Sequence, residues 1–115
     1  MATGLELIEA ERQRQTEVEG WTAEHDDRHG PAVLLDAALC YQAGTVDPDP
    51  RTYRNGYGRY TPLWPWSLSW WKPKDRLRDL VRAGALAQAA ADVALRRRDA
   101  IAAEVDGLLS QDGAA

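Results

Sequence analysis

The stretch Asp75-Arg-Leu-Arg-Asp-Leu-Val-Arg-Ala-Gly-Ala-Leu-Ala-Gln-Ala-Ala-Ala-Asp-Val-Ala94 carries the pattern of a core helix. Its apolar and small residues recur at intervals of three and four, the spacing of one face of an α-helix. One face is traced by Leu77, Leu80, Val81, Gly84, Ala87 and Ala91, and it is widened by Leu86, Ala90, Val93 and Ala94. The stretch therefore predicts the main core helix of the protein, with Asp75 as its N-cap after Pro73.

Beyond this helix, Arg96-Arg97-Arg98 interrupts the apolar face, which then resumes. The resuming residues are Ile101, Val105, Leu108 and Leu109. Either the helix runs on past the core or a fourth helix packs back. Apolar residues beyond the edge of a small domain favour a helix-helix contact between copies, so we predict a homo-oligomer formed through the C-terminal helix. Residues 1–110 are expected to form one domain and residues 111–115 a frayed tail.

Two shorter helices precede the core helix. Thr3 and Glu6 have the spacing of a capping box and predict a first helix from residue 4 to about residue 19, whose thin apolar face places it on the outside. Pro31 and Gly44 bracket an apolar second helix over residues 32–43. The single cysteine, Cys40, falls in this apolar run and is predicted to be a buried, inert thiol.

The segment between the second helix and the core helix is rich in turn-forming and aromatic residues. Residues 44–73 hold five of the six prolines and seven of the nine tryptophans and tyrosines. Short strands around Thr52 to Tyr60 are an alternative for part of it, but the alternation of apolar residues there is poor. The predicted fold class is mainly α, with three to four helices and a long ordered loop rich in Trp, Tyr and Pro.

Charge is sorted along the chain, although the net charge is only −4. Residues 1–27 hold eight acids and two arginines, and residues 51–82 hold eight bases and two aspartates. The two regions either neutralise each other in the fold or leave an anion site in the second. An acidic chain is a poor partner for a long nucleic acid. The absence of an apolar run of membrane-spanning length predicts no membrane insertion and a cytoplasmic location.

The acidic segment Glu24-His25-Asp26-Asp27 is the first candidate for chemistry. Together with Glu6 and Glu9 it matches E-x-x-E followed by E-x-x-D, the pattern of MazG-like nucleotide pyrophosphohydrolases, in which Glu6, Glu9, Glu24 and Asp27 would hold Mg²⁺. Gly20 and Gly30 instead predict a loop or single turn for the segment. The alternative is that Asp26 or Asp27 caps a local turn and pairs with an arginine of the basic segment, residues 51–82.

The aromatic segment with its basic flanks is the second candidate. Indole and phenol rings can stack on a base, arginine forks pair with phosphate oxygens, and the start of the core helix offers free amides to an anion. These features predict a site for a small anionic, nucleotide-like ligand formed by Trp21, Arg54, Tyr57, Arg59, Trp64, Trp66, Trp70 and Arg76. The alternative is that the tryptophans fill the core of a chain without phenylalanine. Both hold if two rings lie in the core and two line a pocket.

Several blocks also resemble a group of small phage and prophage proteins. They are Glu11-Arg-Gln-Arg-Gln15, Glu19-Gly-Trp-Thr22, Glu24-His-Asp-Asp27, Trp64-Pro-Trp66, Trp70-Trp-Lys-Pro73 and Arg78-Asp-Leu-Val-Arg-Ala-Gly-Ala-Leu86. The resemblance covers about residues 9–90. It implies a phage origin, and hence the cytoplasm of a host cell, but no reaction.

A further similarity is to the RyR domain, the repeat of ryanodine receptors that also occurs in bacterial and phage proteins. It is carried by Gly20-Trp21, Asp27, His29 and the segment Lys74-Asp75-Arg76 leading to Leu86. Here Gly30 intervenes before Pro31, and the loop before the last helix is longer. RyR-like modules are associated with nucleotide-signal defence, so the resemblance implies ligand binding without turnover.

Three functional hypotheses follow from the sequence. The first is a binding protein, without catalytic residues or cofactor, that sequesters a cyclic-nucleotide or ADP-ribose-type immune signal as an anti-defence protein. The second is the Mg²⁺-dependent pyrophosphohydrolase. The third is an adaptor that binds a host protein through exposed tryptophans.

Overall fold

A computed structural model describes residues 1–44 and 64–114 of the chain, with side chains described through Gln111. Over these residues the fold consists of four α-helices: α1 (Gly4–Glu17), α2 (Ala23–His29), α3 (Pro31–Ala43) and α4 (Arg76–Ala114), with a 3₁₀ turn at Leu68–Trp70. This confirms the mainly α class. The alternative strands around residues 52–60 lie outside the described residues. None of the described helices is long and apolar enough to cross a membrane.

The ends of α1 and α3 follow the local signals in the sequence. The Thr3 hydroxyl accepts a hydrogen bond from the Glu6 N–H at 3.2 Å, which satisfies a free donor in the first turn of α1. Pro31 opens α3, where its missing N–H costs nothing. Gly44 closes α3 with φ of 73°, a left-handed conformation that glycine adopts without strain. Both helices are confirmed.

Residues Ala23–His29, between Gly20 and Gly30, form a helix, and the prediction of a loop or single turn was wrong. Thr22 caps α2, because its hydroxyl accepts a hydrogen bond from the His25 N–H at 3.3 Å. Gly30 then turns the chain with φ of 85° and links α2 directly to α3. The two glycines mark the ends of a short helix and do not prevent one.

The core lies where α3 packs on α4. Leu34, Ala37 and Tyr41 of α3 meet Leu86 and Val93 of α4, and all five are buried. The start of α4 is fixed as predicted, since Asp75 Oδ1 accepts a hydrogen bond from the Arg78 N–H at 2.8 Å. α4 is 39 residues long in all. It continues past the core and ends at Ala114, inside the segment expected as a tail.

The face of α4 that the sequence assigned first to the core is largely exposed. Leu77 is 63% exposed and Leu80 41%, while Leu86, Ala90 and Val93, which were expected only to widen the face, are buried. The reason is that α3 covers the side of α4 that carries Leu86, Ala90 and Val93. α1 covers this side only in part, at Gly84, where the side chain of Ile8 packs.

Candidate functional site: an aromatic cavity beside helix α2

A cavity of about 390 Å³ lies between the start of α2 and the 3₁₀ turn. The described residues that line it are Glu19, Trp21, His25, His29, Trp64, Trp66, Ser67 and Trp70. Its walls are therefore mostly ring faces. Its volume lies within the range of about 300–1,000 Å³ that is usual for small-molecule sites.

One wall of the cavity is a row of rings at intervals of four residues. Trp21, His25 and His29 follow this spacing along α2 and the residues before it, so their side chains share one side. The rings of Trp21 and His25 are parallel, with 5.8 Å between centroids, and His25 meets His29 edge-on at 4.6 Å. The backbone at Trp21 is held in place because its main-chain N–H donates a hydrogen bond to the Gln15 main-chain carbonyl at 2.9 Å.

The opposite wall comes from the segment Trp64–Trp71, and its rings divide between core and cavity. Trp64 is buried and meets Tyr41 edge-on at 5.7 Å. Trp71 packs on Tyr41 at 4.7 Å and on Trp64 at 5.0 Å. Trp66 reaches across to the first wall, whereas Trp70 is 55% exposed at the rim. Both alternatives for these tryptophans thus apply: Trp66 and Trp70 line the cavity, and Trp64 belongs to the core and also lines the cavity.

Trp66 joins the two walls. Its ring lies 5.8 Å from Trp21, 5.5 Å from His29 and 5.3 Å from Trp64. The Nε1–H of Trp66 is buried and has no hydrogen-bond partner in the described part of the chain. By contrast, the Nε1–H of Trp64 donates to the Ser67 carbonyl at 2.9 Å. A buried donor without a partner is costly, so a group that hydrogen-bonds to the Nε1–H of Trp66 would stabilise the protein.

The imidazole of His29 adds little positive charge to the cavity. Burial, together with the nearby charges of His25 and Arg28, lowers the pKa of His29. His29 is therefore neutral at pH 7. The Glu19 carboxylate accepts a hydrogen bond from Arg14 Nη1 at 2.9 Å, which neutralises the one acid among the described lining residues. The described walls are thus mainly aromatic.

The predicted ligand residues fall into three groups. Trp21, Trp64, Trp66 and Trp70 are brought together at the cavity. Arg76 is not among the lining residues, because its guanidinium donates a hydrogen bond to the Gln42 carbonyl at the end of α3, at 2.5 Å. The predicted residues Arg54, Tyr57 and Arg59 lie outside the described residues. The sequence reasoning missed His25, His29, Glu19 and Ser67 as lining residues, although a helix over residues 23–29 places both histidines beside Trp21.

The acidic pairs of the pyrophosphohydrolase hypothesis are not gathered into a site. Within residues 1–44 and 64–111, no group of three or more His, Cys, Asp or Glu side chains is placed to hold a metal ion. Asp27 instead accepts a hydrogen bond from Arg96 Nη2 at 2.8 Å. Asp26 is fully buried and pairs with Arg12, and His25 Nδ1 lies 3.1 Å from its other oxygen. The aspartates thus join α2 to α4 and to α1, and their described partners, Arg12 and Arg96, lie outside the basic segment from which the pairing was predicted.

Comparison with protein-family models, with curated proteins and with solved structures gave no match. The resemblance to phage proteins and to the RyR domain therefore stays a prediction.

Proposed function

We propose that the protein is a binding module for a small ligand with a flat heteroaromatic ring, of the nucleotide type. The observation that carries the proposal is the cavity of about 390 Å³ in which Trp21, Trp66 and Trp70 present rings to one space. Stacking of a base on an aromatic side chain stabilises a complex by about 1–3 kcal/mol. Several rings around one space can therefore hold a base without any charged contact.

The unpartnered indole of Trp66 supports the proposal further. A base carries ring nitrogens or carbonyl oxygens in its plane, and one of these can accept the Nε1–H of Trp66 once a rotation of the indole brings that buried atom to the cavity. The neutral imidazole of His29, whose ring contacts that of Trp66, offers a second donor or acceptor. A purely aliphatic ligand would leave the Trp66 donor without a partner.

The phosphate end of such a ligand is assigned to the basic residues that precede the tryptophans. Arg54 and Arg59 remain the proposed phosphate contacts on the basis of sequence alone. If the phage resemblance holds, the biological role is sequestration of a nucleotide-derived immune signal, either a cyclic nucleotide or an ADP-ribose derivative, in the cytoplasm of the host.

Calorimetry against a panel of cyclic mononucleotides, cyclic dinucleotides, ADP-ribose and adenosine tests the proposal. We expect at least one ligand to bind with a Kd below about 100 μM, and Trp70→Ala to weaken it about tenfold through loss of stacking. Trp71→Phe is the matched control, because Trp71 packs on Tyr41 and does not line the cavity. If none of these ligands gives a heat of binding at about 100 μM, the proposal is ruled out.

A second candidate function is docking of a host protein at the rim. Leu68 and Trp70 are both about half exposed on the same 3₁₀ turn, and exposed tryptophans are common centres of protein interfaces. A pull-down from host lysate separates the two functions. Capture that is lost in Trp70→Ala but kept in Trp66→Phe supports docking, whereas capture that is unchanged in Trp70→Ala argues against it.

A further inference from the structure

The second half of α4 carries an exposed stripe with alternating intervals of three and four residues. Its members are Ala91, Ala94, Arg98, Ile101, Val105 and Leu108. All six side chains are exposed. The spacing is that of the a and d positions of coiled-coil heptads. The stripe differs from the face of Leu86 and Val93, which α3 covers, so it is a separate apolar surface.

We infer that this stripe is the seam of an antiparallel coiled coil between two copies of the chain. Antiparallel pairing places Ala91 against Leu108 of the second copy, Ala94 against Val105, and Arg98 against Ile101. Each layer then combines a small or flexible side chain with a larger apolar one. The two-fold axis repeats all three layers, so the assembly closes as a dimer.

Arg98 argues against the parallel arrangement. In a parallel pair in register, Arg98 would face Arg98 of the second copy within the seam, and like charges at close range repel each other. The alanines would also face alanines and leave a thin layer beside the thicker layers of Ile101 and Val105. Antiparallel pairing removes both problems, since the long Arg98 side chain can lie along Ile101 and reach solvent.

The charges beside the seam also favour the antiparallel arrangement. Arg97 precedes the central layer and Glu104 follows it, so an antiparallel pair brings Arg97 of each copy next to Glu104 of the other. Such contacts occur twice in the dimer. On the other edge, Leu95, which is 46% exposed, meets Ala102 of the second copy. In a parallel pair, Arg97 would instead lie near Ala102 and gain no partner.

Sedimentation of the full chain tests the surface. The chain is expected to be a dimer at about 100 μM, and Val105→Asp, which places a charge in the seam, to be monomeric with an unchanged helical circular-dichroism spectrum. Ala103→Asp is the matched control, because Ala103 is exposed on the opposite side of α4, and it is expected to remain a dimer. A monomeric wild-type chain, or a Val105→Asp variant that is still dimeric, would overturn the inference.

The orientation is tested by disulfide formation between variants that each carry one added cysteine. Ala94→Cys and Val105→Cys chains, mixed under oxidation, are expected to form a disulfide-linked heterodimer, while each variant alone gives little linked product. Cys40 is fully buried and does not interfere. A parallel dimer would give the reverse, linked homodimers of each variant and little heterodimer, and that result would refute the antiparallel seam.

Discussion

The carboxylate of Glu11 on α1 accepts a hydrogen bond from the guanidinium of Arg78 on α4 at 2.7 Å. The same carboxylate accepts from Arg14 Nε at 2.8 Å and from Gln15 Nε2 at 3.1 Å, and its side chain is fully buried. Burial opposes its ionisation, but the hydrogen bonds and charges of Arg14 and Arg78 outweigh this effect and lower the pKa of Glu11. Glu11 thus ties α1 to α4 as a charged group.

Replacing Glu11 by Ala is therefore expected to destabilise the fold. Removing one partner of a buried ion pair costs about 3–5 kcal/mol, and we expect about 2–3 kcal/mol here because both arginines keep part of their side chains in solvent. Urea unfolding measures the loss. Glu9→Ala, an exposed site on the same helix, is the control and should change stability by less than about 0.5 kcal/mol. Equal losses at the two sites would contradict the assignment.

Acid should remove the stabilisation that Glu11 provides. The pKa of Glu11 is lower in the folded chain than in the unfolded chain, so its contribution is present above the unfolded pKa and is lost as the pH falls through the folded pKa. Wild type should therefore lose more stability than Glu11→Gln between pH 5 and pH 3. Parallel pH curves for the two proteins would show that Glu11 is not ionised in the fold.

The contact between Ile8 and Gly84 predicts a coupling between α1 and α4. A Cβ added to Gly84 would stand 2.6 Å from Ile8 Cδ1, so the Ile8 side chain would have to move. Alanine is favoured over glycine inside a helix by about 1 kcal/mol. Gly84→Ala should therefore raise the free energy of unfolding little or not at all in wild type. In an Ile8→Ala background it should raise it by about 1 kcal/mol, as measured in a double-mutant cycle.

Gly107 provides the matched control for this cycle. A Cβ at Gly107, in the same helix, meets nothing within 4 Å. Gly107→Ala should stabilise the chain by a few tenths to about 1 kcal/mol whether or not Ile8 is present. If Gly84→Ala stabilises wild type as much as Gly107→Ala does, Ile8 does not pack tightly on α4.

The thiol of Cys40 should be unreactive until the chain unfolds. Burial raises its pKa to about 12, and the side chain has no exposed surface. Thiolate is the reactive form, so almost none is available at pH 8. Reaction with a chromogenic disulfide reagent should be negligible in buffer and complete in denaturant. Rapid labelling of the folded chain would show that α3 opens readily at this position.

The lowered pKa of His29, in the wall of the cavity, predicts a pH dependence of stability near neutrality. The pKa of His29 is lower in the folded chain than in the unfolded chain, so stability falls as the pH drops through the unfolded pKa toward the folded one. Thermal unfolding of wild type between pH 7.5 and pH 5.5 should show this loss, and His29→Asn should reduce it. A loss of the same size in the variant would assign the pH dependence to another group.

The local signals in the sequence were sufficient to locate three of the four described helices. Thr3, Pro31, Gly44 and Asp75 act on neighbouring backbone groups, so their effect can be predicted without the rest of the fold. α2 was missed because Gly20 and Gly30 were read as loop residues. Thr22 was the available signal, since its hydroxyl caps the helix through the His25 N–H.

The core-facing side of α4 could not be predicted in the same way. Both sides of the helix carry small and apolar residues, and the choice depends on where α3 and α1 approach. Likewise, Asp26 and Glu11 are buried only because arginines from other turns and helices reach them. The sequence grouped the tryptophans that line the cavity but not the histidines. The histidines lie in the wall only because α2 is helical.

The indole N–H signals in a ¹⁵N–¹H NMR spectrum test the central claim most directly. The Nε1–H of Trp66 is buried without a partner among the described residues, whereas that of Trp64 is bonded to the Ser67 carbonyl. Addition of a cyclic nucleotide or ADP-ribose that binds is predicted to shift the Trp66 indole signal downfield and leave the Trp64 signal nearly in place. The same ligands leaving the Trp66 signal unchanged at saturating concentration would contradict the account.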